Sequence, residues 1–322
     1  MGHLPMDLTD KIFLIAGAAG FVPSTVAQLY LDKGATVYGL DNFITGSNSN
    51  IELLSKYEKF HFTKCDIVQG LPEFEEVKFD FILSLASSAS PVDFDIIPLE
   101  IMMANSIGTQ NLLELAKDHG ARFLEASTSE IYGDPEIHPQ VEDYVGHVNP
   151  IGPRSCYDES KRFAEALTMT YFRKYNVDTR IVRIFNTYGP RMRPDDGRVI
   201  PNFINQALDG EDITIYGDGS QTRSFCYVTD LANAIDHVLM LGDEMPYNIG
   251  NPDEYSIKET GELIVSTLDS SSKLTYQELP KDDPKRRRPD ISRVMKLGYS
   301  PKISFEQGIL ETAKYFKNIK NR

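Results

Sequence analysis

Tyr157 and Lys161 stand four residues apart in the stretch Ser155-Cys156-Tyr157-Asp158-Glu159-Ser160-Lys161. Residues at that spacing share one face of a helix, one turn above the other. An ammonium below a phenol favours the phenolate and draws the tyrosine down from its ordinary value of about 10. The product is a base able to take a proton from a sugar hydroxyl near neutral pH. The same spacing occurs on ordinary solvated helix faces, so the pair gains meaning only from its surroundings.

Two other stretches supply those surroundings. Gly17-Ala18-Ala19-Gly20-Phe21-Val22-Pro23 directly follows a short apolar run at 11–16 and opens an amphipathic segment. A glycine loop between strand and helix turns free backbone amides and a helix N-terminus toward a pyrophosphate. Asp41 closes the next apolar run, where a carboxylate bonds ribose hydroxyls and repels a 2′-phosphate, which favours NAD over NADP. Pro23 stands where a third glycine is expected; in the first helical turn its missing N–H costs no intrahelical bond. The third stretch, Ser127-Thr128-Ser129-Glu130, follows a fifth apolar run, at the sheet edge where open α/β folds bind ligands.

The elements needed to position these groups are legible in the alternation of apolar runs with helical stripes. Strands are expected at 11–16, 36–40, 60–64, 79–85, 122–126 and 179–185. Helices are expected after Gly20, over 99–119 as one long element, and over 162–175 as an extension of the Tyr157 segment. The predicted fold class is therefore α/β, a Rossmann-type doubly wound parallel sheet. Past Asn186 the regularity gives way to Pro, Gly and short elements such as 200–208 and Ile213–Tyr216, with Asp230 expected to cap a helix at 231–241. That pattern predicts a smaller C-terminal α/β substrate domain. Residues 1–186 and 223–249 would form the NAD-binding domain, and 187–222 and 250–322 the nucleotide-sugar-binding domain.

Composition bounds the function. The chain has 322 residues, 41% hydrophobic and 25% charged, which is globular. A net charge of -14 argues against nucleic-acid and anionic-membrane partners. Cys65, Cys156 and Cys226 are scattered, with no metal-ligand spacing, and suit reduced thiols in a cytoplasmic setting. Residues 1–7 lack a signal pattern, and no apolar run approaches the roughly 18 residues of a membrane span.

The glycine loop, Asp41-Asn42-Phe43, Tyr157…Lys161 and Arg183-Ile184-Phe185-Asn186-Thr187-Tyr188-Gly189-Pro190-Arg191 together resemble the extended short-chain dehydrogenase/reductase family of NAD-dependent epimerases and dehydratases. Leu85-Ala86-Ser87-Ser88-Ala89-Ser90-Pro91, with Ser88 in place of a proline, is similar to the UDP-glucuronate decarboxylases within it. So are residues 127–133, 149–157, 195–198, 221–228 and 282–290. The resemblance spans about residues 11–315.

It implies NAD held by Gly17, Gly20, Phe21, Val22, Asp41, Asn42, Asp66, Ile67, Leu85 and Ala86, with Tyr157 and Lys161. It implies a UDP-sugar held by Ser90, Asn186, Arg191, Arg198, Tyr216, Arg223 and Arg287, the last on phosphate. Catalysis is implied for Tyr157, Lys161, Thr128, Ser129, Glu130 and Arg223, with no metal. Tyr157 would take the 4-hydroxyl proton as C4 is oxidised, Thr128 would orient that hydroxyl, and Glu130 and Arg223 would flank the departing carboxylate. The product would be UDP-xylose, by way of a 4-keto sugar. Glu130 discriminates: 4,6-dehydratases carry Asp-Glu where this chain has Ser129-Glu130, and 4-epimerases have small or apolar residues. A 4-epimerase, a 4,6-dehydratase or a non-catalytic nucleotide-binding relative are the rival readings. The family also implies a homodimer through helices at 99–119 and 162–175.

Overall fold

A computed structural model describes residues 7–278 and 286–320 of the chain. It opens with β1 (Ile12–Ala16), α1 (Phe21–Asp32), β2 (Thr36–Asp41), α2 (Asn48–Leu54), β3 (Phe60–Lys64) and β4 (Phe81–Ser84). Next come α3 (Pro91–Ile96), α4 (Pro98–Met103), a π-helical turn at Ala104–Gly108, α5 (Thr109–His119) and β5 (Arg122–Thr128). A 3-10 turn at Ser129–Tyr132 and an irregular stretch lead to α6 (Ser155–Tyr175) and β6 (Thr179–Ile184). The remainder comprises β7 (Thr187–Tyr188), α7 (Val199–Asp209), β8 (Ile213–Tyr216), β9 (Thr222–Ser224), β10 (Cys226–Tyr227), α8 (Val228–Leu241) and β11 (Pro246–Ile249). It ends with β12 (Glu254–Ser256), α9 (Ile257–Thr267), β13 (Leu274–Gln277), β14 (Arg286–Arg287), α10 (Ser292–Met295) and α11 (Phe305–Lys320).

Seven strands form one parallel sheet in the order β11-β6-β5-β4-β1-β2-β3. Helices cover both faces of such a sheet, so its inner strands bury both faces and read as unbroken apolar runs. β1 does so: Phe13, Leu14, Ile15 and Ala16 have no exposed surface. Phe13 stacks on Tyr30 of α1 at 4.1 Å and on Phe81 of β4 at 4.6 Å. Each large apolar side chain buried this fully contributes about 1.5–3 kcal/mol, which fixes the register of β1 between its neighbours. The strand order reverses between β1 and β4, and a crevice opens there at the C-terminal ends of the strands.

The chain past β6 builds smaller sheets, β10-β7, β12-β9-β14 and β13-β8. They surround a second apolar cluster of Phe203, Ile204, Ile213, Phe225, Ile264, Phe305 and Phe316. α8 and β11 return to the large sheet, where β11 pairs with β6. β11 has four residues, too few for periodicity to reveal.

Two expectations are corrected. The single helix at 99–119 is interrupted by the π turn, which sets Asn105 inward, where its Nδ2 donates to Ser87 Oγ and Ser160 Oγ, both at 3.0 Å. Such a bulge inserts one residue into a helical stripe and leaves the apolar period readable on both sides. Asp230 does not cap α8, which begins two residues earlier. Its Oδ2 instead accepts the amides of Lys302 at 2.8 Å and Ile303 at 2.9 Å, tying α8 to the chain that leads into α11.

The irregular stretch at 133–154 is fastened by buried polar contacts. Gln140, 1% exposed, is held through its carbonyl by the Asp290 amide and Asn248 Nδ2 and through its amide by the Arg288 carbonyl. Arg183 donates to the Glu142 carbonyl at 2.7 Å, and Arg162 to the Val145 carbonyl at 2.7 Å.

Candidate active site

The crevice is a cavity of about 890 Å³. Every candidate catalytic, cofactor-binding and substrate-binding residue named from the sequence lines it. Gly17, Gly20, Phe21, Val22, Asp41, Asn42, Asp66, Ile67, Leu85 and Ala86 lie at one end. Thr128, Ser129, Glu130, Tyr157 and Lys161 lie in the middle, and Ser90, Asn186, Arg191, Arg198, Tyr216, Arg223 and Arg287 toward the smaller sheets. Lys285 and the preceding residues of the 282–290 motif lie outside the described residues.

The glycine end is shaped by close backbone approach. Gly17 has φ +84, and a Cβ there would sit 2.8 Å from Ala86 Cα. Only glycine fits. The first intrahelical bond of α1 runs from Ser24 N to Gly20 O at 3.1 Å, so the helix leaves the amides of Phe21 and Val22 unused. Pro23 therefore gives up an N–H that the helix would not have spent. Asp41 Oδ2 accepts the Ala19 amide at 3.0 Å and Oδ1 the Phe43 amide at 2.7 Å. Burial pushes the Asp41 carboxyl up, and those two amides pull it back. The cradle, the open α1 N-terminus and the strand-end carboxylate fit the pyrophosphate and ribose of a dinucleotide.

In the middle, β5 carries Thr128 to the cavity and α6 carries Tyr157 and Lys161. Tyr157 is 5% exposed and its ring stacks on Phe94 at 5.1 Å. The expected lowering of this phenol is not what the arrangement produces. Burial pushes it well above its ordinary value; the Thr128 hydrogen bond and Arg198 oppose that, while Glu130 and Asp158 add to it. Lys161 is turned toward β5 instead, with Nζ 2.6 Å from the Ala126 carbonyl and 3.2 Å from Glu125 Oε1. Beneath these groups Ser127 Oγ donates to Glu165 at 2.5 Å, and Arg183 grips Glu165 with bonds of 3.0 and 2.9 Å.

Glu130 is gripped by two guanidiniums. Arg287 meets it with two bonds, Nη1 to Oε1 at 2.5 Å and Nη2 to Oε2 at 3.0 Å, and Arg154 Nη2 lies 2.9 Å from Oε2. Arg287, expected on phosphate, thus forms the fork-to-fork pair that suits guanidinium and carboxylate equally. Burial alone would raise Glu130, but the two guanidiniums outweigh it and hold the carboxyl at about 2. Arg223 lines the same cavity from β9, opposite Arg287 in the β9-β14 ladder, and donates to the Thr222 carbonyl.

Other expected ligand-binding side chains are engaged within the protein. Ser90 Oγ donates to the Asp196 carbonyl at 2.6 Å, Arg198 pairs with the Asp196 carboxylate and Arg191 bonds Gln28.

Sequence reasoning missed Arg154 and Asp158, although both stand beside Tyr157. Arg154 fell inside a quoted motif without a role. Asp158 is buried, and its Oδ1 has no hydrogen-bond partner among the described residues. Burial and then the charge of Glu130 push it up to about 7, against the pull of Arg154 and Arg287. An acid raised above its unfolded value of about 3.9 keeps its proton better when folded. Its contribution to stability is present at low pH and is lost as pH rises from about 4 through 7. Asp158→Asn is therefore expected to raise Tm at about pH 8 and to leave it nearly unchanged at about pH 4, by scanning calorimetry. Equal shifts at both pH values would contradict that assignment.

The chain belongs to the NAD dependent epimerase/dehydratase family, which it matches over residues 13–250. NAD is the cofactor of that family, and the cradle at Gly17 and Asp41 fits it. Among curated proteins the chain is 47% identical over 307 residues to UDP-glucuronic acid decarboxylase 1 of Danio rerio, covering 95% of this chain and 72% of that one. It is 46% identical over 320 residues to UDP-glucuronic acid decarboxylase 4 of Arabidopsis thaliana, covering 98% and 71%. Among solved structures, UDP-N-acetylglucosamine 4-epimerase from Methanobrevibacter ruminantium M1, in complex with UDP-N-acetylmuramic acid, superposes with TM-score 0.89 at 26% identity, covering 98% of this chain and all (100%) of that one. UDP-glucuronic acid 4-epimerase from Bacillus cereus, in complex with UDP-glucuronic acid and NAD, superposes with TM-score 0.84 at 28% identity, covering 96% and 99%.

Proposed function

We propose that this protein is an NAD-dependent carboxy-lyase that converts UDP-glucuronate to UDP-xylose through a 4-keto sugar. The observation that carries the reading is Glu130, a carboxylate 14% exposed and clasped by Arg287 and Arg154 in the cavity that holds Thr128 and Tyr157. The decarboxylase relatives match over nearly the whole chain and support it.

Direct loss of CO2 from a sugar acid would leave a full negative charge on carbon. A ketone at C4 makes the acid a β-keto acid, so the departing electron pair falls into an enolate. Bound NAD supplies the oxidant for C4 and, in reduced form, the reductant that returns it to an alcohol. Tyr157 takes the proton of the 4-hydroxyl, a role in which the positive charge of bound NAD+ would offset the burial that raises its phenol, and Thr128 orients that hydroxyl. A water beside the ionised Glu130 returns a proton to C5, and Arg223 holds the carboxylate and the charge that develops as it leaves. Asn186 and Arg287 face the diphosphate, and Tyr216 the base or ribose. For Arg287 to do so, the diphosphate draws its guanidinium off Glu130.

On this reading the large sheet with 223–249 carries NAD, and 187–222 with 250–322 carries the nucleotide sugar. A homodimer is part of the proposal, supported by Leu99, Met103, Ile107 and Phe163, apolar and exposed on α4, the π turn and α6. Three unpaired cysteines support a cytoplasmic setting. The test is mass spectrometry of the product from UDP-glucuronate, with and without added NAD+. Release of CO2 with a UDP-pentose is the expected result; UDP-galacturonate with no CO2 would overturn it in favour of a 4-epimerase.

A further inference from the structure

Alternation along β5 sends Phe123, Glu125 and Ser127 to the face packed by α6, and Leu124 and Ala126 to the other. Phe123 joins the apolar cluster of Leu113 and Tyr171, while Leu124 and Ala126 join the core under α8. An aliphatic side chain at 125 would continue the first cluster. A glutamate stands there instead, with no exposed surface. Its Oε1 lies 3.2 Å from Lys161 Nζ; its Oε2 has no close hydrogen-bond partner among the described residues, although the Ser84 hydroxyl of the adjoining β4 is near enough to draw the carboxyl down. Burying a carboxylate with one oxygen unmatched is costly unless its charge answers another.

The groups around the pair identify which charge it answers. On α6, Glu165 is matched by Arg183 of β6, and its charge adds to the burial that pushes Glu125 up. Tyr157, one turn before Lys161, faces Thr128 and Glu130 from the end of β5, Arg198 from the loop before α7, and Asp158 from its own helix. Lys161 is 4% exposed, and Glu125 is the carboxylate within ion-pair reach of it among the described residues.

We propose that Glu125 is a positioning residue, the counter-charge that keeps Lys161 an ammonium in the seam between β5 and α6, one turn from the Tyr157 phenol. The inference rests on the reading of Tyr157 and Lys161 as the groups that act on the sugar hydroxyl. A carboxylate in the sheet interior is thereby a requirement of a lysine that works away from water.

The test is the pH profile of kcat with UDP-glucuronate for wild type, Glu125→Gln and Glu125→Asp. A buried ammonium without a counter-charge sheds its proton, so Glu125→Gln is expected to add a descending limb between roughly pH 6 and 9. Its rate at pH 8 should fall about tenfold below its own optimum. Glu125→Asp, which keeps the charge, should retain the wild-type shape. A Glu125→Gln profile parallel to wild type, at whatever height, overturns the proposal, because a structural defect lowers the rate without adding a limb. Thermal melts give an arm that needs no turnover and stands even if UDP-glucuronate is not the substrate. Adding Lys161→Met to Glu125→Gln removes the unmatched ammonium, and the double variant should melt above the single one. A double variant that melts at or below Glu125→Gln overturns the pairing. If Glu125→Gln does not fold, recovery of folding in the double variant supports it, and failure of both overturns it.

Discussion

Replacing Tyr157 by phenylalanine is expected to lower kcat on UDP-glucuronate by about 10²–10⁴-fold, the usual worth of a positioned general base. At about 1.4 kcal/mol per decade that is roughly 3–6 kcal/mol of barrier. The substitution removes one oxygen and keeps the ring that stacks on Phe94. Fold and cofactor retention should therefore be preserved, with Tm and bound NAD close to wild type. The loss should appear in CO2 release and in the absorbance of reduced NAD alike, since both depend on the oxidation at C4. Turnover within about tenfold of wild type would mean that another group takes the proton.

Glu130→Gln is expected to have the largest effect on stability. Glutamine leaves Arg287 and Arg154 without the carboxylate that both clasp. Removing one partner of a buried charge cluster costs about 3 kcal/mol or more, a fall of several degrees in Tm. The pH dependence distinguishes this from a packing defect. A carboxyl held at about 2, below its unfolded value of about 4.3, stabilises the fold above that unfolded value. The contribution is lost as pH falls from about 4 through 2. The Tm gap between wild type and Glu130→Gln should therefore be full at pH 7 and narrow toward pH 2–3. A gap that stays constant over that range would show that the charge of Glu130 is not what stabilises. Activity should fall as well, since Glu130 is assigned the water that protonates C5.

The parts of the site that were legible in the sequence are those set by local backbone demands. Gly17 could be named because the chain turns there at positive φ against Ala86, a need only glycine meets. Tyr157 and Lys161 could be paired because a helix repeats every 3.6 residues. The parallel sheet was legible because buried strands read as apolar runs. What stayed hidden is the choice of electrostatic partners. Arg287 reaches Glu130 across 157 residues of chain, and no period or motif in the sequence records that distance. The Tyr157 phenol was misjudged for the same reason. The spacing showed that Lys161 was near but not that Glu125 and the Ala126 carbonyl hold its ammonium. The π turn at Ala104–Gly108 escaped because its stripe stays apolar on both sides.

The irregular stretch at 133–154 ends at Arg154, the residue before α6 that meets Glu130. Ordering a chain of that length when a ligand arrives would cost on the order of 20 kcal/mol, more than the contacts of one nucleotide sugar return. Gln140, Glu142 and Val145 are fastened by Asn248, Asp290, Arg183 and Arg162 through partners that belong to the fold itself. The loss of chain freedom is thus completed on folding, and Arg154 meets Glu130 preorganised. The shape of this stretch is written less in its own residues than in the distant ones that anchor it.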